Sequence, residues 1–174
     1  MESMSLTQLA ARLAAAYDAM PESAGVAWQE EIRVTDALYA RLPIRPAYTA
    51  TDPYATADAL AAGWAAGEFR IYSEYCDHPV FSVAENLRGR AVHDWYGHGN
   101  GTGRKAAGFG LAGEIAAFRF QAARYPRWTW PVLAGEIVAQ TAVFEVTGAF
   151  PAQRALALPD AWVDVLLRYL ARAA

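Results

Sequence analysis

The strongest constraint on this chain is the way proline and glycine cut it into apolar runs of helical length. "LTQLAARLAAAYDAM" carries apolar residues at helical spacing up to Pro21, and Ser5 followed by Gln8 gives it a capping box. A second helix is expected from about Val26 to Leu42, stopped by Pro43. Thr56 can cap a short helix over "ADALAAGWAAG", and Ser82 with Glu85 opens another from Val83 to about Tyr96. "LAGEIAAFRFQAARY" stops at Pro126, and Pro131 occupies the first-turn position before "VLAGEIVAQTAVFEV". A last amphipathic helix begins at Asp160. Only "EFRIYSEY" alternates as a strand would. The expectation is a mainly α fold: a single compact helical domain over residues 1–174, with at most a short strand or hairpin. No repeat, low-complexity linker or domain boundary is visible.

Composition narrows the function. Fifty-five per cent of the residues are apolar, enough for a packed core, and the net charge of −3 comes from interspersed charges. No basic stripe indicates nucleic acid, and no polybasic helix or long apolar run indicates a membrane. The start, "MESMSLTQLA", lacks the basic opening of a secretory signal, and the one cysteine, Cys76, permits no internal disulfide. A cytoplasmic location is the expectation.

The chain has three histidines, and two of them stand in "RAVHDWYGHGNGTG", five residues apart. On a regular α-helix such residues project about 140° apart, so His93 and His98 can meet at one ion only if the helix ends between them. Gly97 is placed to supply that break. Gly89, one turn before His93, leaves room beside it, and Asn86 shares its face and is a candidate to hold the outer imidazole nitrogen. "GHGNGTGRK" matches neither phosphate-loop spacing, so its glycines are read as a tight fold around the site or a lid. His78, before Pro79, reads as a structural or rim residue.

A catalytic metal needs more than two imidazoles. The run from Pro131 to Val146 is apolar on nearly every side, which marks a buried helix, yet it carries Glu136 and Gln140 one turn apart. A buried carboxylate needs a partner, a proton or a cation. Glu114, in "LAGEIAAF", raises the same question and reads as an outer-sphere residue, a bridging ligand or a salt-bridge partner. Asp94 lies beside the site, and Trp95 and Tyr96 are candidates to line a substrate pocket. Two imidazoles and one carboxylate with open positions is the facial arrangement typical of non-haem Fe(II) oxygenases.

"HDWYGH" resembles the HDxxGH or HExxGH element of the pterin-dependent aromatic amino acid hydroxylases. "HPVFSVAEN" is similar to the segment that precedes that element in the family, and "FGLAGEIAAF" to its phenylalanine-rich helix. The likeness spans about residues 71–148. It implies iron held by His93, His98 and a carboxylate roughly forty residues further on. Glu136 lies 38 residues beyond His98 and fits best; Glu145, in "AVFEV", is the reserve. The resemblance does not extend to a pterin-binding segment. The pattern HDxxGH, then GE, then ExxxQ also resembles small proteins encoded by tailed bacteriophages, which would place the chain in a host cytoplasm.

The expected activity is therefore hydroxylation of a small aromatic or heterocyclic substrate with O₂, at a site holding Fe(II) or, with the same ligand types, zinc or manganese. Two other classes remain open. One is a hydrolase with one or two ions, if Glu114 joins Glu136. The other is a non-enzymatic phage protein stapled by a metal.

Overall fold

In a computed structural model, which describes residues 4–173, the chain is mainly helical. Ser5 accepts from the Gln8 N–H and Gln8 reaches back to the Ser5 N–H, so α1 (Leu6–Ala19) starts where the capping box predicts. α2 (Val26–Tyr39) ends earlier than Pro43 requires, because the carbonyls of Leu38 and Tyr39 already accept from Arg41 and Leu42 in a tightened turn. α3 (Ala57–Ala65) is capped by Thr56. A three-residue strand, β2 (Arg70–Tyr72), falls within "EFRIYSEY". Its partner, β1 (Ala47–Thr49), lies in "RLPIRPAYTATDPY", a stretch broken by three prolines in which no alternation marks a strand. The two are parallel, with Tyr48 opposite Ile71.

α4 (Val83–Val92) opens on the Ser82–Glu85 capping box. It does not stop near Tyr96. Its ladder widens into a π-helical segment, His93–His98, and only then turns at Gly99. α5 (Leu111–Ala122) follows, then a 3₁₀ turn (Arg127–Thr129). The long apolar run forms α6 (Trp130–Ala134), a second π-helical segment (Gly135–Ala139) and α7 (Gln140–Thr147), one continuous helical rod with a widened middle. α8 (Asp160–Ala173) closes the fold.

The main core joins α1, α2, α5, the α6–α7 rod and α8. Leu9, Leu13, Ile115, Phe118, Val138, Leu156 and Leu166 are each fully buried there. Burying one such aliphatic or aromatic side chain stabilises by about 1.5–3 kcal/mol. A smaller core beside it packs Trp64, Phe69, Ile71 and Trp95 under the two strands. The loop after α7 is fastened to α1: Arg154 donates to the carbonyls of Tyr17 and Met20, and the Tyr17 hydroxyl donates to Ala152. That fastening sets one side of the cavity described next. Among the described residues no helix is long and apolar enough to cross a membrane.

Candidate metal centre

The first π-helical segment decides the geometry. An i→i+5 ladder adds a residue to the turn, so residues five apart stack along one face, as residues four apart do in an α-helix. His93 and His98 are thereby brought together without a helix break, their ring centroids 4.8 Å apart. Gly97 serves differently from the expected terminator. A Cβ there would press on His93 Nδ1 at 3.1 Å and on Ala117, so glycine lets α5 approach the imidazoles.

The carboxylate that α5 delivers is Glu114. Its Oε1 lies 3.3 Å from His98 Nε2, and its Oε2 lies 3.1 Å from His93 Nε2. The Oε2 contact is close but not aligned as a hydrogen bond, and that buried oxygen has no other partner; His98 Nδ1 is likewise buried without one. His93, Asp94 and His98 also offer donor atoms that all lie within 4.8 Å of one another. The donor set is thus two imidazoles with Glu114 and Asp94 beside them. Buried lone pairs that lack hydrogen-bond donors are what a cation would satisfy, so the residues fit a bound divalent metal.

Behind His93, Glu31 Oε1 accepts from the Thr35 hydroxyl at 2.8 Å, and Thr35 and Tyr125 hydroxyls are 2.7 Å apart. Gln121 Oε1 faces His93 Nδ1 at 3.0 Å, and an amide oxygen only accepts, so Nδ1 carries a proton and Nε2 is the nitrogen turned to Glu114. Gln121, not Asn86, therefore holds the outer nitrogen. Asn86 is bonded to Arg90 and Gln153 instead.

Glu136 borders the same cavity with partners of its own. His78 Nδ1 accepts from the backbone N–H groups of Val80 and Phe81, so its Nε2 carries the proton and donates to Glu136 Oε1 at 3.3 Å. Gln140 donates to the second oxygen at 3.4 Å, as their one-turn spacing implies. Glu136 and Gln140 thus form a linked pair, but it is Glu114 that touches both imidazoles. Glu145 is remote from the site: exposed, it accepts from the Leu111 N–H and caps α5. Trp95 lies in the smaller core, edge-on to Trp64, and Tyr96 carries the Arg124 guanidinium over its ring, so neither lines the cavity.

His93, Glu114, Gln121, Glu136, Gln140 and Glu31 all border one cavity of about 1070 Å³. Gly89 borders it too, and a Cβ there would meet nothing, in line with the room expected beside His93. The glycine-rich loop is held down, not free: Ala106 and Ala107 both donate to the His98 carbonyl, and Arg124 binds the Asn100 carbonyl.

The electrostatics match this layout. Burial alone would lower the His93 pKa, but the Glu114 charge overrides it and lifts the imidazole to about 9. Burial opposes ionisation of Glu114, and the two imidazoles outweigh it and hold the carboxyl at about 2. Burial pushes Asp94 up to about 6 and Glu31 up to about 8, and it raises Glu136 against the pull of His78.

Two features escaped the reading of the sequence. Glu31 occupies the buried stripe of α2, with Trp28, Thr35 and Leu38, where an acid is out of place. The pentapeptide Leu-Ala-Gly-Glu-Ile also occurs twice, at 111–115 and 133–137. In both copies another backbone presses on the glycine, the Gly108 carbonyl at Gly113 and the Leu156 carbonyl at Gly135. In both copies the glutamate that follows borders the cavity.

No protein-family model matches this chain, and no curated protein or solved structure does either.

Proposed function

We propose that this protein is a non-haem Fe(II) oxygenase that hydroxylates a small aromatic or heterocyclic substrate. The observation that carries the reading is two imidazoles meeting one carboxylate, of which His93 and Glu114 border a cavity large enough for such a molecule and His98 lies buried behind them. His93, His98 and Glu114 hold the metal, with Asp94 as an additional donor beside them. Fe(II) held there would supply the binding and activation of O₂, with the two electrons that hydroxylation requires coming from an external reductant such as ascorbate. Gln121 keeps the His93 lone pair turned to the ion. Glu136, whose pKa burial raises against the pull of His78, borders the same cavity with its oxygens held by His78 and Gln140. The likeness of "HDWYGH" to the hydroxylase element supports iron; no pterin role is assigned.

Protein loaded anaerobically with Fe(II) and then given O₂ and ascorbate should consume oxygen faster than free Fe(II) does, and His93→Ala should abolish the excess. Uptake no faster than that of free iron would refute the reading. One observation favours a second class: the carboxylates of Glu31 and Glu136 on the same cavity are what a two-ion hydrolase requires. About two ions per chain, with no oxygen uptake, would select it. A closed structural metal is disfavoured by the cavity at the site.

A further inference from the structure

The two walls of the cavity differ in one chemical respect. At His93 and His98 the imidazole Nε2 atoms face Glu114, whereas His78 has its Nδ1 lone pair occupied by two backbone N–H groups and can only donate to Glu136. The Glu136 wall therefore offers carboxylates without a free imidazole. Glu31 is only 6% exposed, and among the described residues its Oε2 takes no hydrogen bond, while Thr35 fixes the other oxygen. Among the described residues no cationic side chain pairs with it. Arg90, which borders the cavity among the described residues, has its guanidinium engaged by Asn86 and by the carbonyls of Tyr72, Glu74 and Tyr75. Towards the mouth, Asp52, Glu74 and Asp77 border the same space and none has a salt-bridge partner among the described residues. Tyr72 and Tyr75 line it as well, their rings 6.2 Å apart, with Tyr75 80% exposed.

We propose that this wall is the recognition site for an organic cation, and that the substrate carries a protonated amine which docks on Glu31 and Glu136 after passing the tyrosines. This assignment rests on the cavity being the substrate site of the proposed enzyme. Carboxylates facing an ammonium group form charge-assisted hydrogen bonds, and aromatic faces attract a cation on the way in. An anion would meet the acids at the mouth and gain nothing from Glu31 and Glu136, whereas an ammonium group lets these buried carboxyls ionise against it, and a neutral molecule would leave Glu31 without its partner.

The test is calorimetric titration with three probes of matched size: benzylamine, benzyl alcohol and benzoate. Benzylamine should bind about tenfold or more tightly than either of the others, and Glu31→Gln should remove that preference. Glu136→Gln provides a second variant should the first fail to fold by circular dichroism. Equal binding of the three probes, or a preference unchanged in both variants, would overturn the proposal. Metal content measured on the same samples separates an amine from a second divalent ion: loss of an ion in Glu31→Gln would mean that the wall holds metal, and would also overturn it. Titration of His93→Ala keeps the two readings apart. The amine preference should survive there even if the iron site is destroyed.

Discussion

At the residue scale, the site is a set of buried charges whose partners are known. In metal-free protein His93 and Glu114 form one ion pair seen from two sides. The folded His93 pKa, about 9, lies above its ordinary 6.5, so its contribution is full below 6.5 and is lost as pH rises through 9. The folded Glu114 pKa, about 2, lies below its ordinary 4.5, so its contribution is full above 4.5 and is lost as pH falls through 2. Glu31, raised to about 8 from 4.5, favours the folded state below 4.5 and loses that advantage as pH rises through 8. His93 and Glu31 place the decline on the alkaline side, and Glu114 adds none there because its own loss comes only below 4.5, so the melting temperature of metal-free protein should fall between pH 6 and 9, followed by circular dichroism. A divalent ion takes the place of the His93 proton and should flatten that fall; a metal-free curve that rises over the same range would contradict the assignment. Gln121→Leu should cost about 10–100-fold in metal affinity, read by competition with a chelator, because the tautomer is no longer held. An Asn86→Leu change should spare that affinity.

At the element scale, most helices were legible because their signals are local. The Ser5 and Ser82 capping boxes, Thr56 and the prolines mark ends that need no knowledge of the rest of the chain. The two π-helical segments were not legible, because a widened turn is chosen by what packs against it. Gly97 reads from sequence as a terminator; only the approach of Ala117 shows why the turn continues to His98. The same holds for the ligand. Counting residues from His98 selects Glu136, whereas α5 brings Glu114 to the imidazoles, and the repeated Leu-Ala-Gly-Glu-Ile was the available sign that the two glutamates share a structural role. Gly135→Ala should destabilise by about 1–3 kcal/mol in denaturant melts, since a Cβ collides with the Leu156 carbonyl. Gly89→Ala should behave oppositely, gaining up to about 1 kcal/mol from helix propensity because its Cβ meets only open space.

At the scale of the whole molecule, the mainly helical fold brings acids from separate elements to one cavity. α2 and the α6–α7 rod carry Glu31 and Glu136, while the first π-helical segment and α5 carry His93, His98 and Glu114. The composition of the chain indicated such a core, but not which faces enclose a cavity, since that depends on how the elements dock. The central claim is that the carboxylate at 114, and not the one at 136, completes the metal centre with the two imidazoles. Elemental analysis of protein produced without an affinity metal tests it most directly, comparing the wild type with Glu114→Gln and Glu136→Gln after incubation with Fe(II). About one ion per chain in the wild type and in Glu136→Gln, with none in Glu114→Gln, is the predicted result. Metal retained by Glu114→Gln and lost from Glu136→Gln, or no metal taken up by any of the three, would contradict it.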